Sequence, residues 1–224
     1  KNILNSLDVV LEKRQLKIIY YKADCDLRKL IGKIKNYKNV LFQLAEGINF
    51  LHSKNILHGD IKPENILKFN NTYKLTDFGY AKILNHNYID VTLYTKLYRP
   101  PEIYSNRCYL KSDMWALGCT FYEIITGNNL LLRTGEDMVK INKIDKKNIL
   151  FTLIELMTTH NIKTRLNYKQ LCIFFGAEHE ENKDIKFDFD KIYRKYNIEK
   201  KDKFILRKKI YGKNKEIRIN SNYA

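Results

Sequence analysis

His58-Gly59-Asp60-Ile61-Lys62-Pro63-Glu64-Asn65 sets two carboxylates, a lysine and a side-chain amide within eight positions, and the aspartate of Asp77-Phe78-Gly79 follows seventeen residues after Asp60. A lone aspartate is ordinarily a surface or capping residue. Four residues of this kind (Asp60, Lys62, Asn65 and Asp77) at fixed spacings are not expected of a solvated surface, and any fold of this chain has to hold them together. Regular patterns frame the string. Val9, Val10 and Leu11, then Leu16, Lys17, Ile18, Ile19 and Tyr20, are β-rich runs separated by Glu12-Lys13-Arg14-Gln15, which predicts a hairpin. From Val40 onward the pattern is helical, with Leu41, Leu44, Ile48 and Leu51 at i, i+3, i+7 and i+10 on one face. Ile66-Leu67-Lys68-Phe69 and Tyr73-Lys74-Leu75-Thr76, with Asn70-Asn71 between them, predict a second short hairpin. Asp113 opens an apolar segment that runs to Thr126-Gly127, a buried helix closed by a glycine. Residues 148–157 and 168–175 add two more helical stretches. The expectation is an α+β domain, mostly helical, with a few strands at one edge.

Composition narrows the classes further. The 224 residues suffice for one sizeable domain, or for a domain with an extension. Three prolines and nine glycines exclude collagen-like, Pro-rich and Gly/Ser linker segments. Cys25, Cys108, Cys119 and Cys172 form no C-x-x-C pair and have no histidine at metal-ligand spacing, so they read as free thiols of a reducing compartment. The longest apolar stretch, 114–125, is broken by Glu123 and is too short to span a bilayer. The net charge is +16, and residues 183–224 carry 14 Lys/Arg against 6 Asp/Glu, a surplus of 14 − 6 = 8. Such a tail suits nucleic acid, acidic lipid or an acidic partner, but a solvated surface ranks ahead of all three. The chain opens on Lys1 rather than Met, so a piece of a longer product is expected.

Two further strings follow the first pair: Thr95-Lys96-Leu97-Tyr98-Arg99-Pro100-Pro101-Glu102 and Ser112-Asp113-Met114-Trp115-Ala116-Leu117-Gly118. In this order the four resemble the catalytic loop, metal-binding triplet, substrate-docking loop and central buried helix of the eukaryotic serine/threonine protein kinases. The resemblance spans roughly residues 3 to 175. It implies a protein-kinase-like α+β fold: a mainly α-helical C-terminal lobe with only the last strands of the small lobe. The implied division is a small-lobe remnant and hinge over 1–22, a large catalytic lobe over 23–176 and a basic extension over 177–224.

The chemistry of phosphoryl transfer fits these residues, because it needs alignment and charge cancellation more than covalent help. Asp60 suits the group that orients the attacking hydroxyl and accepts its proton, and Lys62 can reach the transferring phosphoryl oxygens. Asn65 and Asp77 are hard oxygen donors for Mg²⁺ held with the phosphates of ATP. By the same resemblance, Thr95 joins the catalytic set through hydrogen bonds to Asp60 and Lys62, and Lys62 marks serine/threonine rather than tyrosine specificity. Tyr20 stands at the back of the adenine pocket. Tyr21, Lys22 and Ala23 present backbone to adenine, and Glu64 and Leu67 belong with the nucleotide. Asp26 reaches either the ribose or, as a cap, the turn that follows it. Glu102 pairs with Arg165, Asp113 ties the catalytic-loop backbone to the core, and His58 and Phe78 are packing elements. Arg99 and the text Cys25-Asp26-Leu27-Arg28-Lys29-Leu30 are similar to the cyclin-dependent and mitogen-activated group. Protein substrates are implied, a regulatory protein subunit is compatible, and the location is intracellular, cytoplasmic or nuclear.

Three departures qualify the resemblance. The Gly-rich phosphate loop, the strand lysine and its helix glutamate are not in the text. Gly59 stands where many kinases carry an arginine that binds an activation-loop phosphate, so phosphorylation of Tyr88, Thr92 or Tyr94 is expected to be dispensable, with Asp90 supplying fixed negative charge. Only about forty residues separate Gly127 from Arg165, so the helices between them are trimmed. Two functions compete: an ATP-dependent serine/threonine kinase, whose fragment over 1–224 alone is expected to be inactive, or a truncated kinase-like pseudoenzyme acting as a binding or decoy module. The intact Asp60, Lys62, Asn65 and Asp77 favour the enzyme.

Overall fold

The computed structural model describes residues 2–90, 93–130 and 149–175. The basic tail, the segment 131–148 and Thr92 lie outside the described residues. The first hairpin forms where its β-rich runs predict, as β1 (Asp8–Glu12) and β2 (Gln15–Ile19), with Glu12 opposite Gln15. Lys13 and Arg14 turn the chain at φ 47° and 66°. Two left-handed residues in a two-residue loop match the right-handed twist of the flanking strands. Both faces of the hairpin are exposed. Cys25–Asp26 (β3) leads into a short 3₁₀ turn over Leu27–Leu30.

Helix α1 (Tyr37–Ser53) starts on Asn36, whose side chain accepts from the Asn39 amide at 3.3 Å. Its Leu41, Leu44, Ile48 and Leu51 stripe is buried, as the 3.6-residue spacing requires. After β4 (Ile56–Leu57) the polar string forms a loop and a 3₁₀ turn at Pro63–Asn65. The second hairpin, β5 (Ile66–Phe69) and β6 (Thr72–Leu75), begins and ends one residue earlier on its second strand than the sequence suggests. Thr76 leaves the ladder because its amide donates to the Asn65 carbonyl at 3.0 Å, and Asp77 then turns the backbone at φ 61°. β3 pairs with β5, which sets Asp26 opposite Leu67.

Short strands β7 (Lys82–Ile83) and β8 (Ile89–Asp90) follow; β7 pairs with β4, and β8 pairs with β9 (Arg107–Cys108). Helix α2 (Leu110–Thr126) begins three residues before Asp113, because Ser112 Oγ accepts from the Tyr109 amide at 3.0 Å and caps the first turn. Gly127 closes it at φ 75°. Helices α3 (Ile149–Met157) and α4 (Tyr168–Phe174) complete the described body, the latter capped reciprocally by Asn167 and Gln170. Trp115, Phe121 and Tyr122 of α2 lie in a core shared with α1 and α3. All four cysteines are free thiols.

Candidate active site

The loop carrying Asp60 is anchored from below. Asp113, fully buried in the first turn of α2, accepts from the backbone amides of His58 at 2.7 Å and Gly59 at 3.0 Å. It also pairs with His52 Nε2 at 2.9 Å and accepts from the Tyr94 hydroxyl at 3.0 Å. Burial pushes its carboxyl upward, yet the hydrogen bond and charge of His52 and the contacts from His58 outweigh that, and the net direction is down. His58 is neutral for a geometric reason. Its Nδ1 accepts from the Asp60 amide at 3.3 Å, its Nε2 faces the Thr76 carbonyl at 3.0 Å, and burial holds its pKa below 6.5. Its ring lies 5.1 Å from that of Phe78.

Asp60 sits above this anchor, 3 % exposed. Oδ2 takes Lys62 Nζ at 2.6 Å and Asn65 Nδ2 at 3.0 Å; Oδ1 takes the Thr95 hydroxyl at 2.7 Å and the Thr95 amide at 3.1 Å. Lys62 Nζ also donates to Thr95 Oγ1 at 2.8 Å, closing a triangle. Burial alone would raise the Asp60 pKa, but the Lys62 and Thr95 hydrogen bonds lower it overall. Asn65 donates a second bond to the Asp60 carbonyl at 2.9 Å, so its amide nitrogen is fully committed and its oxygen is the atom left to offer. Asp77 is exposed, and its carboxylate accepts from the Gly79 amide at 3.3 Å. The Thr76–Asn65 backbone bond keeps Asp77 beside Asn65. Among the described residues no group of three or more His, Cys, Asp or Glu side chains is placed to cage a metal.

The hinge-side residues are placed less tightly. Tyr21 is exposed and Ala23 half-buried. Asp26 caps the 3₁₀ turn through the Lys29 amide at 3.2 Å, which is the second of the two roles its sequence position offers. Leu67 lies opposite it on β5. The Glu64 side chain accepts from Arg28 Nε at 2.7 Å through one of its two oxygens. On the far side, Arg165 grips Glu102 with both terminal nitrogens, at 2.6 and 2.8 Å.

Several partners were not foreseen. His52 and Tyr94 on Asp113 carry no motif signal, and Tyr94 is buried at φ 74°. Arg28, Glu123 and Tyr98 also meet: Arg28 pairs with Glu123, Tyr98 OH donates to Glu123 at 2.6 Å, and Arg28 donates to Tyr98 OH. Burial weakens the charge on Arg28, but its bonds to Glu64 and Glu123 raise its pKa overall. These residues are up to 95 positions apart, beyond any local pattern.

An anchored carboxylate–lysine–threonine triangle on a helical body with small sheets at its edge is a protein-kinase-like fold. A family model described as Protein kinase domain matches residues 1–210, and the chain belongs to that family. An Aurora kinase of Eremothecium gossypii is 34% identical over 166 residues, covering 70% of this chain and 45% of the relative. Cell division control protein 2 homolog 3 of Trypanosoma brucei brucei is 38% identical over 147 residues, covering 60% of this chain and 47% of the relative. The chain thus spans about half the length of these curated relatives. A chain in the crystal structure of the yeast RNA Pol II CTD kinase complex shares the fold, with a TM-score of 0.65, 20% identity and coverage of 80% of this chain and 77% of that one. Among the described residues no helix is long and apolar enough to cross a membrane.

Proposed function

We propose that the chain carries the transfer machinery of a serine/threonine protein kinase and directs the γ-phosphoryl group of ATP to a protein hydroxyl. The observation that carries this reading is the Asp60 carboxylate, fixed at once by Lys62, Thr95 and Asn65. A hydroxyl entering beside Asp60 exchanges the lysine contact for its own hydrogen bond and is oriented by it. Asp60 thus orients the hydroxyl and is the group placed to accept its proton as transfer proceeds. Lys62, which donates to Asp60 and Thr95 together, is within reach of the phosphoryl oxygens on which negative charge builds up.

The donor set fits Mg²⁺ shared with phosphates rather than a protein-only cage: the Asn65 amide oxygen and the Asp77 carboxylate are hard ligands, and among the described residues no group of three or more His, Cys, Asp or Glu side chains is placed to hold a metal by itself. When bound, ATP supplies the phosphoryl group and Mg²⁺ offsets its charge. Asn65 and Asp77 would hold the metal, and the backbone of 21–23 would meet the adenine. Specificity for serine and threonine rests on Lys62 two residues after Asp60. The test is phosphate transfer by the chain in its full-length context to a basic test protein, followed by phosphoamino-acid analysis. Phosphoserine and phosphothreonine, lost on Asp60→Asn, are expected; mainly phosphotyrosine, or transfer unaffected by Asp60→Asn, would overturn the reading.

A further inference from the structure

The connection that leads into α1, the first turn of α1 and the β5–β6 hairpin enclose a cavity of about 420 Å³. None of Asp60, Lys62, Asn65, Asp77 and Thr95 lines it. Lys68 does, and successive side chains of a strand point to opposite faces. The cavity therefore lies on the face of β5 turned away from Leu67, the residue that the kinase reading puts with the nucleotide. Its walls are fastened to one another. Gln43 of α1 donates to the Asn71 carbonyl at 2.9 Å and accepts from the Tyr73 amide at 2.8 Å, which ties the hairpin to the helix. The Lys33 amide donates to the Leu30 carbonyl at 2.9 Å and folds the third wall. A recess held in this way has little ordering left to lose on binding.

The lining is one-sided in charge. Lys33, Lys35 and Lys68 bring three ammonium groups, and no lining residue is acidic. Lys33 and Lys35 are exposed and take part in no ion pair among the described residues. Lys68 is 28% exposed, and its Nζ meets Asp24, outside the lining, at 3.4 Å. Asn36, Asn39 and Asn71 add amide donors. Asn36 Oδ1 accepts from the Asn39 amide at 3.3 Å, so its Nδ2 is the end left to donate. Leu30, Ile34 and the buried Tyr73 make up the apolar remainder.

This composition selects its ligand. Ammonium groups act as point charges and can converge from three sides on a tetrahedral phosphoryl group, which carries a charge of about −1.5 to −2. A planar carboxylate is matched by the guanidinium fork, and no arginine lines the cavity. The volume is that of a site for an organic ligand rather than for a bare ion, and the apolar part gives a neighbouring side chain a place to pack. A bilayer surface or a long phosphate backbone presents its charge over an extended face, which a closed recess does not engage. We propose that this cavity binds a phosphorylated segment of a protein partner, with the phosphoryl group among Lys33, Lys35 and Lys68 and an adjacent apolar side chain against Leu30 and Ile34. The inference rests on the kinase reading only for its partner: a chain that phosphorylates proteins meets substrates that already carry phosphate, and one gripped here keeps its remaining hydroxyls near Asp60.

Binding is measured without ATP on the chain in its full-length context, so a failure of phosphate transfer bears on the function and leaves this test intact. The probes are immobilised degenerate peptide libraries with phosphoserine, serine or glutamate fixed at the centre. The wild type is expected to be retained on the phosphoserine library about tenfold more than on either other library, the yield of one or two charge-assisted hydrogen bonds. Lys33→Glu with Lys35→Glu is expected to abolish that preference, and Lys33→Gln with Lys35→Gln replaces this pair where the glutamates lower the melting temperature. Lys13→Glu with Lys54→Glu makes the same charge change at exposed positions outside the cavity and is expected to alter retention by less than about twofold. Equal retention on the phosphoserine and glutamate libraries, or equal weakening by the two pairs of substitutions, would overturn the proposal. Displacement of the chain from the phosphoserine library by a single-stranded oligonucleotide, but not by free phosphoserine peptide, would assign the cavity to nucleic acid and overturn it as well.

Discussion

Gly59 shows how much a single residue fixes here. It lies at φ 82°, its carbonyl accepts from the Tyr94 amide at 3.0 Å, and a methyl group in its place would come within 2.9 Å of both Leu93 Cδ1 and the Tyr80 carbonyl oxygen. The sequence marks this position as a missing phosphate-binding arginine; the packing adds that no side chain fits without moving backbone. Gly59→Arg is therefore expected to lose about 1–3 kcal/mol from backbone strain alone, with more from the clash, and to gain no phosphate-dependent stabilisation. Urea unfolding of the variant with and without inorganic phosphate checks both parts. Tyr94 has a structural role that its sequence position does not announce. Its buried hydroxyl donates to Asp113, and burial with the neighbouring Asp113 charge holds its pKa well up. Tyr94→Phe is expected to cost about 1 kcal/mol, the net worth of one hydrogen bond, since Asp113 keeps its other donors. Exposed Tyr88→Phe should be neutral within about 0.5 kcal/mol in the same measurement, as is usual for surface positions. Asp60, Lys62 and Asn65 were legible because their chemistry and spacing sit in one short string. Tyr94 was not, since a left-handed tyrosine under a buried aspartate leaves no periodicity to read.

At the scale of elements, the two hairpins and all four helices were legible from period and turn residues, while their ends were set by bonds to distant chain. Thr76 is drawn off β6 by Asn65, and α2 begins early on the Ser112 cap. Ser112 in turn donates to Glu102 at 2.6 Å, so the start of α2 and the turn at Pro101–Ser105 share one carboxylate. Arg165 completes this joint. It is 1% exposed, donates to the carbonyls of Thr159 and Lys111, lies 5.1 Å from the Trp115 ring and holds Glu102 bidentately. Removing it strands a largely buried carboxylate, so Arg165→Ala is expected to cost about 3–5 kcal/mol. Replacing Glu102 by Gln in the same chain should cost less than the sum of the two single changes, because the second change then strands no charge. Additive losses in that double-mutant cycle would show that the pair contributes independently to the two elements. The sequence made this pair visible only through the family resemblance; the Arg28 cluster, which no motif marks, joins its elements by the same kind of long-range charge pairing.

The whole molecule is keyed together by buried ionisable groups, and this gives its stability a definite pH dependence. His58 titrates below 6.5 in the fold because burial disfavours its charged form, so the unfolded chain binds its proton first as pH falls. Its contribution is present in full above the unfolded value and is lost as pH drops from about 6.5 toward the lower folded pKa. Asp113 and Asp60 behave alike for a different reason. Their hydrogen bonds to His52, and to Lys62 and Thr95, hold them below 3.8 against the opposing effect of burial. Their contribution is complete above the ordinary carboxylate range and is lost only as pH falls through their depressed folded values. Melting temperature is therefore expected to be flat near neutrality, to decline gently below about 6.5 and to fall steeply below about 4. Two variants separate the limbs. His58→Phe, which keeps an aromatic ring against Phe78, should flatten the gentle decline while lowering the plateau through the lost Thr76 contact. Asp113→Asn should lower the plateau more, since it weakens the anchoring of four groups, and should make the acid limb shallower. A wild-type profile that rises on acidification from 7 to 5, or an Asp113→Asn chain with an unchanged acid slope, would show that these groups do not couple the catalytic loop to the stability of the whole fold.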